Sequence, residues 1–138
     1  MSLEIQNRER EGIRILDLKG RLTVGESVSG IRGHVRDLIA AGAKNLILNL
    51  QEVDYIDSTG LGALVMCYTG FQKAGGTAKL LNLSRRNIQL LVLTKLATVF
   101  PIFTDEQDAV NSFFPNRELK HFDILEFVRQ QQEEEEGD

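Results

Sequence analysis

Two stretches near the start of the chain, "LEIQNRER" and "GIRILDLKG", alternate apolar and polar residues on either side of Glu11-Gly12. A period of two sets one side of a strand against a core. The Glu-Gly break therefore predicts a β-hairpin, with Ile13, Ile15, Leu16 and Leu18 on its second strand. "GRLT" is expected to turn the chain. From Val28 the period lengthens: Val28, Ile31, Val35, Leu38 and Ile39 share one face of a helix that Ala41-Gly42 closes. "NLILNL" is a short apolar run, the pattern of a central strand buried on both faces. Leu61, Leu64, Val65 and Tyr68 predict a second helix ending near Gly75-Gly76. "TAKLLNL" reads as the next strand. Ser84 is placed to cap a third helix with Ile88, Leu91, Val92 and Leu96 inward. "FPIFT" predicts a last strand, with Pro101 at its start or on an edge. Thr104, with Gln107 three residues on, has the form of a capping box for a helix through Val110 and Phe113.

The predicted order is β-β-α-β-α-β-α-β-α. It implies a single α/β domain: a mixed sheet with an initial hairpin and parallel strands joined by helices through right-handed crossovers. Residues 1–114 form this unit. Residues 115–138 read as a C-terminal extension, a helix with Phe122, Leu125 and Val128 on one face that gives way to a disordered acidic tail. No internal repeat is visible.

The length, 138 residues, suits one domain with its own core. Net charge is −4, from 16 basic and 20 acidic residues. Glu133 to Glu136 carry that whole excess, so the body is close to neutral. No basic stripe with interleaved aromatics marks a nucleic-acid partner. The start "MSLEIQNRER" lacks the apolar run of a signal peptide, and no segment approaches the ~20 apolar residues of a membrane span. The expectation is a cytoplasmic protein without direct membrane insertion. The single cysteine, Cys67, has no partner for an internal disulfide and reads as a small helix residue. The two histidines, His34 and His121, and this cysteine lack ligand spacing, so no metal and no cofactor are expected.

The chemistry-bearing stretch is "VDYIDSTGLGALV", residues 53–65. Ile56-Asp57-Ser58-Thr59-Gly60 half resembles the nucleophile elbow G-x-S-x-G, but Ile56 replaces the first glycine. An activated serine needs a base, and neither His34 on the first helix nor His121 in the extension is set against Ser58. A phospho-aspartate receiver needs clustered carboxylates around a divalent ion; here only Asp54 and Asp57 share a loop. "GESVSGIRG" has Ile31 and Arg32 where a P-loop needs Lys and Ser/Thr. What remains is a loop, "QEVDYIDS", entering a helix. Ser58 stands at the expected N-cap, and Asp57 is able to serve the same purpose. A helix N-terminus also accommodates phosphate, so a phosphoryl group on Ser58 would leave its helix intact while adding about −1.5 to −2 charges to the patch. Arg85 and Arg86 begin the third helix, where the dipole disfavours cations. They read either as plain surface charge or as a contact for an anion or partner near Ser58.

"GRL", "NLILNLQEVDYIDSTGLGALV", "GGTAKLLNLSRRNIQLLVLTKL" and "VFPIFTDEQDAV" occur in that order, and over residues 3 to 113 the chain resembles the STAS domain family. More narrowly, it resembles the solitary bacterial members that act as anti-sigma factor antagonists. The resemblance implies a non-enzymatic switch. A partner that is both anti-sigma factor and serine kinase would phosphorylate Ser58. The unphosphorylated form would bind that partner and free a sigma factor, and a PP2C-type phosphatase would reset the cycle. The implied partner-binding residues are Asp54, Tyr55, Ile56, Asp57, Ser58, Thr59, Gly60 and Leu61, with Thr23 on the neighbouring segment Thr23 to Ser27. Many relatives carry Asp where this chain has Thr23, which weakens any polar contact carried over there. The extension lies beyond the usual domain; covering the sheet, mediating a homodimer or forming a solvated tail are its open roles. Other solitary STAS domains are subunits of a lipid-transport ATPase or of a stress-signalling assembly, and a serine in the motif is compatible with that alternative.

Overall fold

The computed structural model describes residues 3–117 and 128–129. Strands β1 (Glu4–Arg10) and β2 (Ile13–Leu22) form the expected antiparallel hairpin. Glu11 and Gly12 both adopt positive φ, 52° and 83°, the turn whose twist matches that of paired strands. Helix α1 (Glu26–Ala40), strand β3 (Asn45–Ile56), helix α2 (Ser58–Lys73), strand β4 (Thr77–Leu81) and helix α3 (Arg85–Leu93) follow. A 3₁₀ turn at Leu96–Thr98, strand β5 (Ile102–Phe103) and helix α4 (Glu106–Asn111) complete the unit. The strands lie in the order β1-β2-β3-β4-β5, and every pair beyond the hairpin is parallel. The fold is the single mixed-sheet α/β domain that the pattern predicts.

Two cores explain the apolar runs. On one face Leu16, Leu48, Leu50 and Leu80 pack against Val28, Ile31, Leu64, Phe71, Ile88 and Leu91 of α1, α2 and α3. On the other, Ile13, Ile15, Ile47, Leu81 and Phe103 meet Ala109 and Val110 of α4, with Phe113 and Phe114 packed at the margin. Each fully buried Val, Leu, Ile or Phe among them contributes about 1.5–3 kcal/mol of burial. Arg8 and Arg10 of β1 pair with Glu106 of α4, and Arg8 also pairs with Asp17, which clips the hairpin to the last helix.

Four local expectations are corrected. "GRL" does not turn the chain but finishes β2. "QEVDYI" is not loop but the second half of β3, paired through Lys19↔Glu52, Gly20↔Val53, Arg21↔Tyr55 and Leu22↔Ile56. The register shifts between Asp17 and Lys19 and again between Gly20 and Arg21. Such irregularities break the period of two, and the buried residues Leu50, Val53 and Ile56 fall every third position instead. The cap of α4 is Asp105 rather than Thr104: its carboxylate accepts from the Asp108 N–H at 3.0 Å. That helix also stops at Asn111, short of Phe113. The helix expected around Phe122 and Leu125, and the acidic tail, lie outside the described residues; Val128 and Arg129 are helical.

Candidate functional site

The parallel strands end along one edge of the sheet, and the starts of α1, α2 and α3 gather there. Strand β3 runs into α2 with a single residue between them, Asp57. Asp57, not Ser58, is the N-cap. Its backbone is extended (φ −92°, ψ −178°), and its Oδ1 accepts from the Gly60 N–H at 2.7 Å. Ser58 is thereby the first helical residue, and its side chain is exposed. The carboxylate wins the cap because an ionised acceptor at a helix N-terminus gains from both the free N–H and the dipole.

Asp57 does more than cap. Its Oδ2 accepts from the Val24 N–H at 3.0 Å, and its own N–H donates to the Leu22 carbonyl at 3.2 Å. The amides of Gly60 and Val24 hold this carboxyl below the usual carboxylate range. Gly60 allows the junction to close: a Cβ there would lie 1.9 Å from the Leu22 carbonyl oxygen. Thr23 is half-buried. Its N–H donates to Ser27 Oγ at 3.0 Å, and the Ser27 hydroxyl donates to the Thr23 carbonyl at 2.7 Å.

The expected contact residues divide into two groups. Asp54, Tyr55, Ser58 and Thr59 are exposed, and Asp57 and Thr23 are partly so. Ile56, Gly60 and Leu61 are buried, so they shape the surface from beneath rather than present side chains to it. The Arg86 guanidinium lies 4.9 Å from the centre of the Tyr55 ring. Ser84 caps α3 as expected, accepting from the Asn87 N–H at 3.2 Å. The sequence reading included Val24 only within the neighbouring segment Thr23 to Ser27, and it missed Asn87. Asn87 is only 2% exposed, and its Nδ2 donates to the Val53 carbonyl at 3.4 Å, which ties α3 to β3. No local pattern marks either residue.

Three clefts of about 350, 390 and 310 Å³ lie elsewhere: on the outer face of β1, β2 and β3, at the end of α1, and in the groove between α1 and α2. Ser58 lines none of these three. His34 Nδ1 lies 3.1 Å from the Gly30 carbonyl of its own helix. Burial pushes the Cys67 thiol up to about 12, so it holds its proton at neutral pH. Among the described residues no cluster of His, Cys, Asp and Glu suits a metal ion, and no helix is long and apolar enough to cross a membrane.

Comparison with known proteins bears on this geometry. The model of the STAS domain family matches residues 4–109. The anti-sigma-B factor antagonist of Bacillus subtilis (strain 168) is 32% identical over 110 residues, spanning 80% of this chain and 99% of that protein. An anti-sigma factor antagonist from Mycobacterium paratuberculosis superposes with a TM-score of 0.71 at 18% identity, over 80% of this chain and 92% of the other. The Bacillus cell fate determinant SpoIIAA in its phosphorylated form gives 0.64 at 21% identity, over 80% and 99%. The chain belongs to the STAS domain family.

Proposed function

We propose that this protein is an anti-sigma factor antagonist, a binding switch controlled by phosphorylation of Ser58 rather than an enzyme. The observation that carries the reading is the position of Ser58. Its hydroxyl is exposed on the first turn of α2, at the positive end of the helix, and His34, the histidine among the described residues, lies against the Gly30 carbonyl of its own helix. A kinase would transfer the γ-phosphoryl group of ATP to Oγ, with loss of the hydroxyl proton and release of ADP. The added charge of about −1.5 to −2 would sit beside Asp54 and Asp57 and oppose any acidic or apolar partner surface. The similarity to the anti-sigma-B factor antagonist supports an anti-sigma factor as the partner; in this reading that partner is also the serine kinase, and a PP2C-type phosphatase is the reset.

The test is to incubate the protein with such a kinase, taken from its own genome neighbourhood, and ATP, then to locate the phosphate by mass spectrometry. Phosphate is expected on Ser58. Ser58→Ala should bind the kinase and escape control, and Ser58→Asp should bind more weakly. Both variants binding like wild type would end the switch reading. Phosphate absent from Ser58 under an active kinase would favour a structural subunit of a transport or stress-signalling assembly.

A further inference from the structure

Next to Ser58, a short loop is fixed more firmly than its exposure requires. Leu22 to Glu26 join β2 to α1. The Val24 N–H is held by Asp57, 33 residues away in sequence. Both backbone groups of Thr23 are held by Ser27, which is only 4% exposed. Gly25 takes φ 109° and ψ −137°, a conformation that L side chains rarely adopt. Yet the side chain that these restraints carry, Val24, is apolar and 71% exposed.

A single exposed apolar residue is ordinary. Leu93, at the end of α3, is more exposed still at 81%. What sets Val24 apart is that its own N–H is tied to the residue that precedes Ser58 and that both backbone groups of Thr23 before it are hydrogen-bonded. Recognition by an ordered loop avoids the entropy of ordering that loop on binding, so rigid apolar projections make efficient anchors. The tie also turns the Asp57 charge inward, onto two amides, so a partner approaching here meets a valine rather than a free carboxylate.

We propose that Val24 is the hydrophobic anchor of the docking surface, entering a valine-sized apolar pocket on the partner, and that Asp57 is the positioning residue that presents it. The proposal rests on the switch reading for the partner's identity. It adds that the partner must carry an apolar pocket within reach of Ser58.

The probe is the serine kinase that phosphorylates Ser58, titrated with the full chain in the presence of ADP so that no transfer intervenes. Val24→Ser should weaken binding by about tenfold or more, and Val24→Ile by less than about threefold. Asp57→Asn keeps one oxygen for the Gly60 cap but leaves the Val24 N–H without its acceptor. It should weaken binding to a similar degree. In the Val24→Ser background, Asp57→Asn should change binding less than about twofold, because the two act through one contact. Amide exchange supplies a readout without the partner: in Asp57→Asn the Val24 amide should exchange about tenfold faster while the Gly60 amide stays protected.

Wild-type affinity in Val24→Ser would overturn the anchor. Multiplying effects in the double variant, or an unchanged Val24 amide, would overturn the positioning role. Ser58→Asp in the same titration separates the two layers. If it binds like wild type while Val24→Ser does not, the switch fails and the anchor stands. A kinase that phosphorylates Ser58 but shows no measurable complex with the wild-type chain would overturn both.

Discussion

Two carboxylates, Asp57 and Glu106, organise two regions of this molecule in different ways. Asp57 sits where the strands end and accepts from two backbone amides. Glu106 sits on the opposite face of the sheet and accepts from two guanidiniums, Arg8 and Arg10. Both carboxyls are held below the usual range, one by amides, the other by the hydrogen bonds of Arg8 and Arg10. Amides are placed by the backbone and keep no mobile charge of their own. Guanidiniums arrive on long side chains, here 39% and 37% exposed, and salt screens them. The first arrangement fixes a junction and leaves its outer surface free. The second clips two elements together.

The comparison is broken most severely at Gly60. In Gly60→Ala the added methyl meets the Leu22 backbone, which no rotamer change relieves. A loss of about 3 kcal/mol is expected from urea denaturation. A loss below about 1 kcal/mol would mean that the junction is looser than described.

The cap assignment is sharpened by a pair of variants. Asp57→Ala should lose about 1–2 kcal/mol, the usual range for a missing N-cap. Ser58→Ala should stay within about 0.5 kcal/mol of wild type. The reverse order in thermal or denaturant unfolding would return the cap to Ser58.

A smaller effect than the loss of the Asp57 cap is expected on the far face. Arg8→Ala should lose about 1 kcal/mol, given its exposure, and the loss should shrink with added salt. The sign of its pH dependence follows from Glu106. A carboxyl depressed in the folded state contributes fully above its unfolded pKa, and that contribution is lost as pH falls through the folded value. Wild-type stability should therefore drop as pH falls from the ordinary glutamate range down through the lower folded value. In Arg8→Ala that drop should be shallower. Equal slopes in denaturation series at several pH values would show that Arg8 does not set the Glu106 titration.

Much of this was legible along the chain. The hairpin, the order of strands and helices and the Ser84 cap follow from periods of two and 3.6 and from turn and cap residues, all local quantities. The place of Ser58 at a strand-to-helix junction was legible for the same reason. The second half of β3 was not. Its buried residues stand every third position because β3 carries an extra residue against β2 at two places, and such bulges are set by the pairing of the two strands rather than by a local period. Nor was the choice between Asp57 and Ser58 as cap, since both residue types suit that position and only the backbone angle at Asp57 decides.

The sequence by itself determined the fold class, the resemblance to STAS domains and the serine to examine, because apolar periodicity and a short motif are written in neighbouring residues. Tertiary structure alone decided that Ile56, Gly60 and Leu61 lie beneath the surface, and that Asp57 reaches the Val24 amide 33 residues away. The physical reason is that a hydrogen bond forms between groups brought within about 3 Å. Which backbone groups meet at the end of a sheet depends on strand order and register, not on distance along the chain.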